Sequence, residues 1–233
     1  MQAERLPERM IPLRDAIYEQ LLTADEVRPL YLAAVAEARR STFGVVQYKV
    51  LARAEFFMGR ALLFEERNSE ARPHFAEGLR LAEVAVEAAP SAEAWVLRAE
   101  NLSHLIQADG RRTFAIANGL DVERFARNAL EFDSRNAAAQ YLIAARWIFA
   151  PRPFNNISRG IGMMEAILEN GDMARDDLFN VTSAIGWAHI QQRNFSDAIP
   201  WLTRALEVYP TNQFVAELLE TAEAGGTGRR RSR

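Results

Sequence analysis

Two stretches of this chain, far apart in sequence, set small and large residues at the same offsets. Within 179–212, Ile185, Gly186, His189, Ala198, Leu202, Ala205 and Pro210 take positions 7, 8, 11, 20, 24, 27 and 32 of a 34-residue frame. Within 52–85, Met58, Gly59, Leu62, Ala71, Phe75 and Gly78 take positions 7, 8, 11, 20, 24 and 27. A third frame, begun at Ala137, gives Ile143, Ala144 and Trp147 at 7, 8 and 11. Self-similarity at a fixed period means stacked supersecondary units, none of which buries its apolar face alone. The small residues let helices approach closely, and the large ones fill the space between them.

The units are helical. From about residue 10 to 224, apolar residues recur at three- and four-residue spacing, and β-branched alternating runs are missing. Thr23-Ala-Asp-Glu26 reads as a capping box opening a helix over about 24–40. Ser41 is expected to cap a long helix ending near Glu66, and Pro90 closes the next, about 71–89. Further breaks are expected at Asp109-Gly110, Asn118-Gly119, Ser134 to Asn136, Pro151 to Pro153, Asn170-Gly171 and Pro210. The predicted class is all-α.

Composition narrows function by exclusion. Apolar residues are 49 % of the 233, enough for a sizeable core, and no run approaches the roughly 18 a membrane span requires. Cysteine is absent, which removes disulfides, thiolate catalysis and cysteine-ligated zinc. The net charge of −3 gives no general pull toward nucleic acid, and Lys49 is the single lysine. The first residues lack the build of a signal peptide. That places the protein in the cytoplasm if Met1 is the native start, and in the periplasm or on a lipoprotein anchor if the sequence is trimmed.

With these residues at these offsets, 50–212 resembles the tetratricopeptide (TPR-like) superfamily. The resemblance implies a right-handed superhelix of antiparallel helix pairs, an α-solenoid. Around Trp95 the frame is distorted: Ala99 and Leu102 fit positions 8 and 11, Arg98 stands where a large apolar residue is expected, and an insert (108–120) delays a second helix near 121–133 that carries Ala129 at position 27. Pro151 to Asn156 stretches the third repeat before its second helix, about 157–169. This connection is similar to those of some bacterial extracytoplasmic tetratricopeptide proteins, including helper subunits of binding-protein-dependent transporters. The expected organisation is an N-terminal helical cover (1–41), a repeat domain (42–224) ending in a covering helix (212–224), and a disordered basic tail (225–233).

The resemblance also implies a function. In such proteins the first helices line a concave face that docks a partner segment. Carried over position by position, the contacts are Arg53, Phe56, Arg60, Tyr141, Ala145, Ile148, Asn180, Trp187 and Gln191, with Leu63, Phe64, Ala138, Phe149, Ser183 and Ile190 beside them. Aromatic rings mixed with arginines suit an extended peptide bearing apolar side chains and a carboxylate. The reading is a non-enzymatic scaffold for a protein or peptide, without cofactor or nucleic acid and open to homo-oligomerisation. The alternative is a small-molecule or lipid-handling accessory whose cavity the 108–120 insert closes.

Chemical motifs are sparse. His189 falls at a core position, His74 early in a helix, and Glu100 and His104 at i, i+4 read as a surface pair, since no second pair completes a metal site. Gly160-Ile-Gly162 follows no strand and is no dinucleotide fingerprint. Asp176-Asp177 suits a helix N-terminus, and Glu65-Glu66 a solvated helix end. The Asn-x-Ser/Thr triplets at Asn101, Asn156, Asn180 and Asn194 read as coincidence, and the arginines of 229–233 as a solubilising tail.

Overall fold

The computed structural model describes residues 7–169 and 173–230; at Arg9 and 226–230 it describes the backbone alone. After a short 3-10 turn come α1 (Ile11–Glu19), α2 (Ala24–Ser41), α3 (Gly44–Phe64), α4 (Asn68–Ala88), α5 (Ala92–Asp109), α6 (Arg112–Phe132), α7 (Ala137–Phe149), α8 (Ile157–Glu169), α9 (Arg175–Gln191), α10 (Phe195–Val208) and α11 (Gln213–Arg230). No strand occurs among the described residues, and neighbouring helices pack in succession from α2 to α6 and from α8 to α11. The fold is all-α and TPR-like. None of these helices is long and apolar enough to cross a membrane.

Local chemistry sets most boundaries. The Thr23 hydroxyl accepts from the Glu26 amide, and the Glu26 carboxylate accepts from the Thr23 amide at 2.9 Å, so the capping box that opens α2 is present. Gly110 ends α5 in the left-handed region at φ 69, its N–H donating to Ile106 O. Ser41 does not cap α3. It is the last residue of α2, and its hydroxyl donates back to Glu37 O at 2.8 Å. The break expected at Asn118-Gly119 is also absent. Asn118 Nδ2 donates to Phe114 O at 2.9 Å, one turn back, and the helix runs on from Arg112 to Phe132. The insert is therefore the first half of α6. The expected break at Asn170-Gly171 lies outside the described residues.

The chain divides into two compact units. One holds residues 7–17 and 22–142, with Phe57, Met58, Leu62, Phe75 and Leu97 fully buried. Within it Gly59 and Phe75, positions 8 and 24, meet: a Cβ on Gly59 would lie 2.7 Å from the Phe75 ring. Arg98, the charged residue at a large-apolar position, spreads its guanidinium over the rings of Phe125 (4.3 Å) and Trp95 (5.5 Å) and donates to Glu83. A cation on two ring faces substitutes for an apolar side chain.

The other unit holds residues 18–21 and 143–230. Positions 8 and 24 meet again, since a Cβ on Gly186 would lie 2.5 Å from the Leu202 side chain. Between α7 and α8 the small partner is Gly160, where a Cβ would lie 2.5 Å from Ile148; the Gly160-Ile-Gly162 sequence thus has a packing role. Tyr18 to Gln20, at and just beyond the end of α1, pack into this unit. The buried Tyr18 ring stacks on Tyr209 at 4.9 Å and meets Phe179 edge-on at 5.4 Å. Asn212 Nδ2 donates to Tyr18 O (2.6 Å), Thr211 Oγ1 to Glu19 O (2.8 Å), and the Phe214 amide to Gln20 Oε1 (3.1 Å). At the other end, α11 continues to Arg230, where a tail is expected from 225. A Cβ on Gly225 would lie 2.7 Å from the Phe195 ring, so the glycine admits close helix contact instead of ending the helix. Residues 231–233 lie outside the described part.

Candidate interaction surfaces on the first helices

In the first unit, Arg53, Phe56 and Arg60 recur at three- and four-residue spacing along α3, whose neighbours include α5. Arg53 Nη1 donates to Glu100 Oε2 at 2.6 Å, a half-buried ion pair, and its guanidinium lies over Phe56 at 5.3 Å. Arg60 lies over Phe56 at 5.8 Å and over the exposed Phe64 at 5.2 Å. Phe56 itself is only 3 % exposed, so it supports the arginines from beneath and is not a contact surface.

His104 corrects a sequence expectation. It is not half of an exposed pair with Glu100: its ring sits 4.8 Å from Phe56 and 5.4 Å from Phe75, and Nδ1 donates to Glu100 O at 3.0 Å. Burial, helped by the cations of Arg60 and Arg53, pushes its pKa down to about 3. Burial pushes the Tyr141 hydroxyl up to about 12. At neutral pH both groups are uncharged. The surface suits a carboxylate beside an apolar group, not proton transfer.

His74 is half-buried. Its Nδ1 bonds Glu55 Oε2 at 2.7 Å, Tyr31 Oη donates to Glu55 Oε1 at 2.7 Å, and the two rings meet edge-on. Burial and the Glu55 carboxylate hold the Tyr31 pKa well above its ordinary value. Each member comes from a different helix, so no local motif announces the trio. No cluster of three or more His, Asp or Glu able to hold a metal occurs among the described residues.

In the second unit the expected residues separate. Phe149, which is 49 % exposed, meets the half-buried Trp187 at a tilt with ring centroids 4.9 Å apart, bringing the ends of α7 and α9 together. Gln191, the last residue of α9, is exposed, and Ala145 is half-buried. Ile148 does not face a ligand; it is 1 % exposed and packs on Gly160. Asn180 is engaged within the chain, its Nδ2 donating to Tyr18 Oη at 3.1 Å. His189, at core position 11, is half-buried with its Nδ1 enclosed and unbonded.

No family model matches the chain. No curated protein matches it either. Among solved structures it is similar to YrrB, described as a TPR protein with an unusual peptide-binding site, at 16 % identity and a TM-score of 0.39, over 90 % of this chain and 97 % of that one. The TPR-like assignment rests on the helix pairs themselves: the same position-8 and position-24 residues touch in α3/α4 and in α9/α10.

Proposed function

We propose that the protein is a non-enzymatic interaction scaffold that docks a partner protein segment on the faces of its first helices. The observation that carries this reading is the arginine and aromatic arrangement on α3, where Arg60 lies over the exposed ring of Phe64. Rigid aromatic area with a guanidinium is the composition of protein-binding hot spots. The exposed Phe149 on Trp187, with Gln191 beyond it, gives the second unit a surface of similar character. Peptide binding by the structurally similar YrrB accords with this reading.

The accessory-protein alternative needs the 108–120 segment to close an apolar cavity. Here Ile116 is 61 % and Leu120 64 % exposed on α6, so the segment offers its apolar side chains outward. Quantitative capture tests the proposal, using wild-type, Arg60→Ala and Phe149→Ala baits. Each variant is expected to lose at least one partner held by the wild type. Full recovery of every partner by both variants would sink the assignment.

A further inference from the structure

The connection between α7 and α8 carries a charge pattern that the repeat architecture does not require. Residues 134–164 contain Arg135, Arg146, Arg152 and Arg159, and no aspartate or glutamate, in a chain whose net charge is −3. Two of these arginines meet aromatic surface within the second unit. The Arg159 guanidinium lies 4.0 Å from the Trp147 ring centroid and that of Arg146 lies 5.1 Å from it, so two cations share one indole. Trp147 O accepts from the Asn156 amide at 2.8 Å, and Pro151 O from the Phe154 amide at 2.9 Å, which folds the connection back on the end of α7. Phe154 is 54 % exposed there, with the exposed Arg152 two residues before it. Neither Arg152 nor Arg159 pairs with a carboxylate among the described residues.

We propose that this α7–α8 surface docks an acidic segment of a partner protein, one that sets an aromatic or large aliphatic side chain among its carboxylates. Arg152 and Arg159 supply forked donors that a carboxylate accepts bidentately. Stacking on Trp147 holds the Arg159 fork in place, which lowers the entropy lost on binding. Phe154 supplies apolar area for the side chain between the acids. A few spaced cations suit the modest charge density of such a segment; a nucleic acid needs many phosphate contacts to overcome an overall negative protein. The surface goes beyond the first-helix positions proposed above, since it is built on the connection from α7 to α8.

The test is fluorescence anisotropy with a labelled synthetic peptide of repeated Asp-Glu-Phe. Arg152→Ala/Arg159→Ala is expected to weaken binding at least about tenfold, and raised salt to weaken it in the wild type. Both residues are exposed, and an unchanged thermal melt confirms that the variant is folded. Arg159→Lys, which keeps charge but not the planar fork, should fall between the two. Arg60→Ala, on the other surface, should leave this affinity within about twofold, so that failure here is distinct from failure of the first-helix reading. The inference is overturned by equal binding to the double variant, by equal binding of an Asn-Gln-Phe analogue, or by no peptide binding up to about 1 mM. Preference for oligothymidylate or for phosphatidylserine vesicles over the peptide overturns it as well.

Discussion

In α3/α4 a phenylalanine ring lies against the glycine at position 8; in α9/α10 a leucine does. Around Phe75 the neighbours are Phe56 and the neutral His104, supplied by first helices of the same unit. The cover of α9/α10 comes from α1, with Tyr18 laid on Phe179 and Tyr209. The repeat spacing specifies the contact inside a pair. What a pair meets outside itself is specified separately, by residues the spacing does not constrain.

The largest effect should come from removing the borrowed cover. Tyr18→Ala empties a fully buried aromatic site and is expected to cost about 4 kcal/mol. Hydrogen exchange should show the loss in α9 to α11, with α3 to α6 retained. Equal loosening of both units would break the comparison.

Next comes the shared contact. Gly59→Ala should cost about 2 kcal/mol by denaturant unfolding, because the added methyl meets the fully buried Phe75 ring. Gly59→Ala/Phe75→Leu, in which the position-24 leucine of α9/α10 leaves room for the added methyl, should cost less than the two single changes together by at least about 0.5 kcal/mol. Strict additivity would mean that the two positions are not coupled.

Acid sharpens the contrast from the side of α3/α4. An unfolded imidazole takes its proton near about 6.5, whereas the folded His104 does so only at about 3. Between those values the unfolded chain binds the additional proton, so stability falls as pH falls through that window. Lowering the pH from about 7 to 4 should reduce Tm by roughly 5 °C, and His104→Gln should flatten the dependence. The smallest effect is that of Thr23→Ala, which removes the α2 cap and should cost about 1 kcal/mol in thermal unfolding.

These contrasts also explain what the sequence made legible. Gly59, Gly186, Leu202 and Phe75 can be placed by counting, since each contact lies within one 34-residue frame. The Thr23 box and the helix at 157–169 follow from adjacent residues. Counting misplaces Ile148, because the hole that buries it belongs to Gly160 on another helix. It places Arg53 and Asn180 on a face but cannot see Glu100 or Tyr18, which occupy them from distant sequence. At Asn118-Gly119 a turn dipeptide is overruled, since the asparagine bonds back into its own helix and Gly110 has already made the turn.

The cover on α9 to α11 also has a consequence in time. Tyr18 leaves the ribosome long before Tyr209, Thr211 and Asn212. The second unit therefore cannot finish its interior until residues 209–212 have emerged, whereas residues 22–142 have their own partners available much earlier. Until Tyr209 emerges Tyr18 lacks its stacking partner, and a nascent-chain binder that recognises exposed aromatics has its opportunity there.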